Sequence, residues 1–218
     1  MNISKPTLDV LKNYAQINTN ILVREGNTLA TISNGKNIFS RATVTETFDK
    51  EFAIYDLNSL LGLLTFTENP DLELGSESLK INNAGAEFEY FYADPSIIVA
   101  APDKTIEVDN FYEFTLTKDK VTNIVRAASV INAPVLSVVG RDGKVTLSVG
   151  DPSTPRSNTF RQVIGETNKE FDCRLAVENF KVIADEYKIV LSQKKFMYLE
   201  NTAGTLKYWL ALEPNSTI

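Results

Sequence analysis

The fold is decided by residues 52–95, FAIYDLNSLLGLLTFTENPDLELGSESLKINNAGAEFEYFYADP, because their pattern returns in residues 171–214, FDCRLAVENFKVIADEYKIVLSQKKFMYLENTAGTLKYWLALEP. The two stretches align without a gap at an offset of 119 residues and share six identical residues in 44 positions, so their location matters more than their number. The identical pairs are Phe52 and Phe171, Leu72 and Leu191, Asn82 and Asn201, Ala84 and Ala203, Gly85 and Gly204, and Pro95 and Pro214. The shared Asn-x-Ala-Gly lies at a predicted hairpin turn, with Tyr90 and Trp209 aligned in the next strand. The sequence therefore predicts a duplicated domain.

Helices and strands are predicted in the same order in both halves. Four segments carry apolar residues at helical spacing, and they are residues 6–17, 56–66, 118–130 and 174–186. Pro6 suits the first turn of one helix, and Thr117 is a candidate N-cap of another. Segments rich in Val, Ile, Thr, Tyr and Phe predict strands at residues 21–23, 28–32, 38–45, 51–55, 135–139, 144–149, 160–164 and 170–173.

Each half is predicted to be an α+β domain, with two helices packed on antiparallel sheets. We expect domain 1 over residues 1–94 and domain 2 over residues 109–218. The connector between them, residues 95–108, is bounded by prolines and is too apolar for an ordinary flexible linker. An apolar linker usually covers or binds something.

The composition argues against an enzyme. The chain has no histidine, which is the usual general acid/base near neutral pH and the commonest metal ligand. Its one cysteine, Cys173, aligns with Ile54 in the repeat, which predicts a small buried side chain. No Gly-Lys-Ser/Thr follows Gly140, Gly143 or Gly150, so a phosphate loop is absent. We therefore expect no catalytic residue, no metal and no cofactor.

Charge and hydropathy argue against a basic DNA-coating protein and against a membrane or secreted protein. The net charge of −6 argues against a simple basic protein that coats DNA. The polar start of the chain and the lack of an apolar run of membrane-spanning length predict a cytosolic protein.

Several segments keep a familiar order and spacing over nearly the whole chain. They are residues 11–18 (LKNYAQIN), 53–58 (AIYDLN) running into Leu61-Gly62, 93–96 (ADPS) with Val99, and 211–213 (ALE) followed by Ser216-Thr217. Together they resemble the sliding clamps of T-even-type bacteriophages, DNA polymerase processivity factors that are distant relatives of proliferating cell nuclear antigen. The resemblance implies a DNA-clamp fold and a homotrimeric ring of six similar domains, with helices lining a central hole.

The resemblance also implies a function. Such a ring encircles double-stranded DNA independently of the DNA sequence and tethers the replicative DNA polymerase. It catalyses nothing. It implies an ATP-dependent clamp-loader ATPase as a partner, and a sigma-like late-transcription factor as a further one. The expected location is the cytoplasm of the infected bacterial host.

Basic residues on three predicted helices are the candidate DNA-facing residues. Two pairs are seven residues apart, a spacing that returns a helix to nearly the same face. The full set is Lys5, Lys12, Lys118, Lys120, Arg126, Arg174 and Lys181. The helix predicted at residues 56–66 has no basic residue and is expected to be a neutral sector of the pore. A solvated helix face is the alternative for any single lysine, but three basic helices in an acidic protein favour the pore.

Related clamps bind partner peptides in an apolar pocket between the interdomain connector and the C-terminal residues. The corresponding residues are Ile97, Ile98, Val99, Pro102, Ala211, Leu212 and Pro214. A pocket of this kind can bury an aromatic or aliphatic anchor. The alternative is a connector that merely seals the junction between the domains.

The family geometry pairs the last strand of domain 1 with an edge strand of domain 2 from the next subunit. The first strand contributes Glu87, Phe88, Glu89 and Tyr90, and the second region contributes Arg156, Phe160, Arg161 and Val163. Opposite charges flank apolar residues on both, as an edge-to-edge contact between different surfaces requires. Head-to-tail contacts of this kind close rings.

The main rival interpretation is a phage virion or baseplate protein built from a duplicated β-rich domain. Such a structural protein would share the acidic charge, the repeat and the lack of catalytic residues. The concentration of basic residues on predicted helices favours the clamp. A platform for single-stranded nucleic acid built from aromatic residues 88–92 is disfavoured, because Glu87 and Glu89 alternate with them as in an ordinary strand.

Overall fold

A computed structural model describes residues 1–66, 70–83, 86–104 and 106–218 of the chain. The chain divides into two compact units, Met1–Lys104 and Thr105–Ile218. The division falls inside the connector predicted at residues 95–108. In the part of the chain that is described, no helix is long and apolar enough to cross a membrane.

The first unit contains two α-helices and seven strands among its described residues. They follow the order α1 (Lys5–Ile17), β1 (Ile21–Val23), β2 (Gly26–Ile32), β3 (Ile38–Phe48), β4 (Phe52–Ile54), α2 (Leu57–Phe66), β5 (Asp71–Leu74), β6 (Ser78–Asn83) and β7 (Ala86–Phe91). β1 pairs with β4, β2 pairs with β3, and β5, β6 and β7 form a three-stranded sheet, all antiparallel. Leu11, Leu29, Ile54 and Leu57 are buried around one core space.

A side-chain cap and an apolar stripe account for α1. Ser4 Oγ accepts a hydrogen bond from the backbone N–H of Thr7, and a proline stands in the first turn. Thr7, Leu11 and Tyr14 follow at helical spacing and are buried. The face of α1 opposite this stripe is therefore left to solvent.

The second unit contains one α-helix and eight strands among its described residues. They follow the order β8 (Tyr112–Leu116), α3 (Lys118–Val130), β9 (Val135–Arg141), β10 (Lys144–Gly150), β11 (Phe160–Glu166), β12 (Phe171–Ala176), β13 (Tyr187–Ser192), β14 (Phe196–Asn201) and β15 (Leu206–Ala211). One antiparallel sheet has the order β11-β10-β9-β12. Another runs β8-β13-β14-β15.

The helix α3 covers one face of the first of these sheets. Thr117 caps it as predicted, because its Oγ1 accepts a hydrogen bond from the backbone N–H of Lys120 at 3.4 Å. Ile124 lies beside Leu136 of β9 and Val149 of β10. These contacts fix which face of the sheet is the helix side.

The strand registers reproduce the duplication with one shift. Leu79 pairs with Tyr90 between β6 and β7, and 119 residues later Tyr198 pairs with Trp209 between β14 and β15. Asn82 pairs with Asp71, whereas Asn201 pairs with Tyr187, three residues before the position that the gapless offset requires. The gapless alignment is therefore wrong across β5 and β13, and Leu72 and Leu191 are not equivalent.

The shared turn of the repeat is described in one copy only. Ala84 and Gly85 lie outside the described residues. In the second copy Gly204 has a φ of +68°, a left-handed conformation that favours glycine, and Asn201 Oδ1 accepts hydrogen bonds from the backbone N–H groups of Thr205 and Leu206.

The helix predicted at residues 174–186 is wrong. Residues 171–176 form strand β12, with Phe171, Cys173 and Leu175 buried in alternation, and only a single 3₁₀ turn, Val177–Asn179, follows. In the first copy Asp56 caps α2, but Leu175 stands at the aligned position and cannot cap a helix. The alternating burial along β12 and the missing N-cap favour a strand, although the apolar residues after Leu175 have helical spacing.

Candidate nucleic-acid interface

The exposed face of α1 carries two of the predicted DNA-facing lysines. Lys5 and Lys12 are both exposed, opposite the buried stripe. Lys5 Nζ forms an ion pair with Asp9 at 2.7 Å, which offsets part of its charge. Lys12 has no ion-pair partner among the described residues. Lys12 is therefore the stronger phosphate-binding candidate on this helix.

The helix α3 carries three predicted DNA-facing residues. Lys118 and Arg126 are exposed and Lys120 is half-buried, and within the described chain none of them forms an ion pair. Asp119 is the only carboxylate of the helix. The accessible surface of α3 is thus basic, although the whole chain carries a net charge of −6.

A buried carboxylate that sequence reasoning missed holds the first turn of α1. Glu46 of β3 accepts hydrogen bonds from the backbone N–H of Ser4 and from the hydroxyl of Thr7. Burial raises the pKa of Glu46, but the hydrogen bonds from Thr7 and Ser4 outweigh this effect and hold the pKa below its usual value. Its negative charge also lies favourably at a helix N-terminus. The sequence offered one signal for this role, because Glu46 stands at a core-facing position of β3, between Val44 and Phe48.

The helix α2 carries no charged residue among Leu57–Phe66, and its role as a neutral sector of a pore stays a prediction. Asp56 begins it by accepting hydrogen bonds from the backbone N–H groups of Asn58 and Ser59. Hydrogen bonding, foremost from the Ser59 hydroxyl, lowers the pKa of Asp56. The hydroxyl of Tyr90 donates to the carbonyl oxygen of Asp56 at 3.1 Å, so β7 is tied to the start of α2.

Two predicted DNA-facing residues are not on a helix. Arg174 lies on β12, where it pairs in register with Ser137 on the sheet face opposite α3, and its guanidinium binds the carboxylate of Asp172 at 2.6 Å. Lys181 follows the 3₁₀ turn in a segment without regular structure. The helical spacing that placed these two residues on a common face is therefore absent.

The connector residues of the first unit are held in place by apolar packing, hydrogen bonds and an ion pair. Ile98 is buried with Leu22 and Ala53, whereas Ile97 is 61% exposed. The side-chain amide of Asn18 donates to the carbonyl oxygen of Val99 at 3.0 Å. Further along, Arg24 donates to the carbonyl oxygen of Ala101 and Arg41 forms an ion pair with Asp103.

The C-terminal residues of the second unit are also tied down. Leu212 is buried, Ala211 is half-buried and Pro214 is exposed. Thr217 exchanges two backbone hydrogen bonds with Asp172, so the tail covers the outer edge of β12. The predicted peptide pocket combines residues of both units and stays a prediction.

Two edge strands are candidates for contact with another subunit. They are β7 in the first unit and β11 in the second, each at one edge of its sheet. On β7, Phe88 pairs with the buried Ile81, and Glu89 pairs with Lys80 on the opposite face. On β11, Phe160 pairs with the buried Val149 on the helix side, and Arg161 pairs with Ser148 on the opposite face.

An apolar hollow adjoins the open edge of β7. It has a volume of about 420 Å³ and is lined by Ser59, Gly62 and Leu63 of α2 together with Phe88. On β11, Val163 is 57% exposed. Both open edges therefore present accessible apolar side chains beside charged ones.

The single thiol has the character of a core residue. Cys173 is fully buried, and burial together with the nearby charge of Asp172 raises its pKa to about 12. A protonated, inaccessible thiol is a poor nucleophile. Within the described residues, no group of three or more Cys, Asp or Glu residues is placed to hold a metal ion.

Comparisons with known proteins agree with this geometry. Residues 4–100 match the model of the family described as DNA polymerase processivity factor. The chain is 30% identical to the sliding clamp of Enterobacteria phage T4, over 100% of this chain and 99% of that protein. It is 26% identical to the sliding clamp of Vibrio phage KVP40, over 98% of this chain and 99% of that protein.

Solved structures show the same fold at low identity. The PCNA of A. fulgidus, solved with the C-terminal region of FEN-1, superimposes with a TM-score of 0.73 at 15% identity, covering 99% of this chain and 100% of that one. The fold is that of a DNA clamp, as predicted. The chain belongs to the sliding clamp family, the DNA polymerase processivity factors. The rival interpretation as a virion or baseplate protein receives no support.

Proposed function

We propose that three copies of this chain close into a ring around duplex DNA and tether the replicative polymerase, without catalysing a reaction. The observation that carries this proposal is the exposed basic surface of α1 and α3 in a protein of net charge −6. Electrostatic attraction to phosphates is independent of sequence and lets a protein move along DNA. Contacts to base edges, which would arrest the ring, are not required.

Five residues form the proposed pore surface. They are Lys5, Lys12, Lys118, Lys120 and Arg126. A trimer would present each of them three times, so weak individual contacts add up to a net positive lining. The uncharged α2 would separate the basic helices and keep the total attraction modest.

The open edges of β7 and β11 are the proposed subunit contact. An antiparallel register that sets Glu89 opposite Arg161 also sets Tyr90 opposite Phe160, so that the aromatic side chains share the helix side. Glu89 has no cation partner and Arg161 no carboxylate partner among the described residues. Pairing the edges would satisfy both, and it would remove two unpaired strand edges from solvent.

The exposed connector residues are the proposed docking point for a polymerase peptide. Ile97 and Val99 are 61% and 38% exposed, while their backbone is held by the first unit. Preorganised apolar side chains lower the entropy cost of binding a peptide. A clamp-loader ATPase and a sigma-like late-transcription factor are proposed to use the same surface, in the cytoplasm of the infected bacterial host.

Primer extension on a long primed circle tests the function. With its polymerase, loader and ATP, the wild-type chain should lengthen the products made in one binding event. Omitting ATP should abolish the gain, because an unopened ring cannot reach the circle. Products of unchanged length, with polymerase and loader shown to be active, would overturn the proposal.

A further inference from the structure

A basic face lies on the sheet β11-β10-β9-β12, on the side opposite α3. Its hollow has a volume of about 560 Å³ and is lined by the cations Arg141, Lys144, Arg161 and Arg174. A second hollow of about 610 Å³ shares Ser137, Ser148 and Arg161 with the first and adds Arg156. The two hollows are therefore continuous. We call the surface that carries the five cations the outer basic face; they are Arg141, Lys144, Arg156, Arg161 and Arg174.

The cations of the outer basic face exceed the carboxylates available to them. Three carboxylates line the two hollows, and they are Asp142, Asp151 and Asp172. Asp172 is paired with Arg174. Asp151 accepts hydrogen bonds from Ser153 and Thr154, which lower its pKa to about 2 and occupy its oxygens.

Four of the five cations have no ion-pair partner in the described chain. They are Arg141, Lys144, Arg156 and Arg161. This concentration of unpaired positive charge stands on one sheet face of a chain whose net charge is −6. The five cations outnumber the three carboxylates that line the hollows, and this excess of positive charge favours the binding of an anion.

Arg156 adds an independent observation. Its φ is +64°, in the left-handed region where a residue with a Cβ is uncommon. Its side chain is exposed and has no hydrogen-bond partner among the described residues. The Arg156 guanidinium is therefore available to bind an anion.

We propose that the outer basic face binds an acidic, extended peptide segment of a partner protein. Guanidinium groups bind carboxylates through paired hydrogen bonds. Ser137, Thr146 and Ser148, half-buried on the same face, supply hydroxyl groups for the backbone of such a segment. The described lining contains no aromatic side chain on which nucleic-acid bases could stack, which favours a peptide over a single strand.

Arg156 and Arg161 also belong to the region of the proposed subunit contact, so the test uses Arg141 and Lys144, which lie outside that contact and the pore. The probe is a fluorescein-labelled glutamate decapeptide, titrated with the full-length chain and followed by fluorescence anisotropy. The Arg141→Gln/Lys144→Gln variant should bind it about tenfold more weakly, because two cationic hydrogen-bond donors are removed. The matched Lys36→Gln/Lys104→Gln variant should bind like wild type, since both of these lysines are exposed in the other unit. Both variants should keep wild-type polymerase stimulation.

Three results would overturn the proposal. The first is equal binding by the Arg141→Gln/Lys144→Gln variant and wild type. The second is a loss of binding in a Lys12→Gln/Arg126→Gln variant alone, which would place the probe in the pore. The third is tighter binding of a thymidine dodecamer than of the peptide through Arg141 and Lys144, which would assign the face to nucleic acid. A glutamine decapeptide should not bind.

Discussion

The carboxylate of Glu46, on β3, accepts a hydrogen bond from the hydroxyl of Thr7 in the first turn of α1. Glu46 also accepts from the backbone N–H of Ser4, so the sheet holds the start of the helix that carries Lys5 and Lys12. The orientation of the basic face of α1 therefore depends on a residue outside the helix.

Replacing Glu46 with Gln should lower the free energy of unfolding by about 1–3 kcal/mol, because the substitution removes a buried, hydrogen-bonded charge. The folded pKa of Glu46 is lowered, so its stabilisation is present above the unfolded pKa and is lost as pH falls through the folded pKa. Urea unfolding at pH 7 and at pH 4 measures this. The difference between wild type and variant should shrink at pH 4. An equal difference at both pH values would contradict the assignment of the charge.

Lys12→Ala and Arg126→Ala should each weaken binding to short duplex DNA and make it less dependent on salt. One side chain per copy is three in the proposed ring, so the slope of log K against log salt should fall by up to about 3. The reduction should be the same on two unrelated duplex sequences. Lys36→Ala, in the exposed turn before β3, is the control and should keep the wild-type slope. A change confined to one sequence would contradict a sequence-independent lining.

Arg161→Glu and Glu89→Arg should each weaken the trimer, because each sets like charges opposite one another in the proposed contact. The combination of both changes should restore it. Sedimentation velocity over a concentration series measures the assembly, with at least about tenfold weaker self-association expected for each single variant. Glu73→Arg, exposed on β5 at the other edge of the same sheet, is the control. Single variants that sediment as wild type would refute the contact.

Ile97→Asp should reduce binding of the polymerase-derived peptide by about tenfold, with unfolding unchanged, since this side chain is 61% exposed. Ile98→Asp should instead lower the stability by several kcal/mol, roughly 3–5, because Ile98 is packed against Leu22 and Ala53. Isothermal titration and urea unfolding separate the two effects. Val130→Asp, on an apolar residue that is 74% exposed, serves as the control. Wild-type peptide affinity in Ile97→Asp would remove the connector from the docking surface.

Local signals predicted much of the fold. The helix α3 begins and ends where its apolar spacing and the Thr117 cap place it, and β1 spans the predicted residues 21–23. The failure at residues 174–186 arose because two periodicities overlap there. The spacing of the apolar residues predicted a helix, whereas in the structure the start of this segment pairs with β9 and belongs to the strand β12. The sequence held two signals for the strand, namely the alternation of Phe171, Cys173 and Leu175 and the lack of a capping side chain at Leu175.

Some residues of the candidate sites could be predicted from the sequence and others could not. Lys5, Lys12 and Arg126 could be placed from helical spacing, because a helix fixes which residues share a face. Glu46 and the outer basic face could not, because they depend on strands that are distant in sequence and meet only through register. Arg141 and Arg161, for example, are brought to one face by the pairing of both their strands with β10.

Retention on closed DNA tests the central claim most directly. The chain is loaded with loader and ATP onto a nicked circular duplex, the free protein is removed, and the bound fraction is followed before and after the circle is cut once with a restriction enzyme. A ring that encircles the duplex should stay on the circle and slide off the linear product. Equal retention on circular and linear DNA would show that the protein binds by contact alone and would contradict the proposed ring.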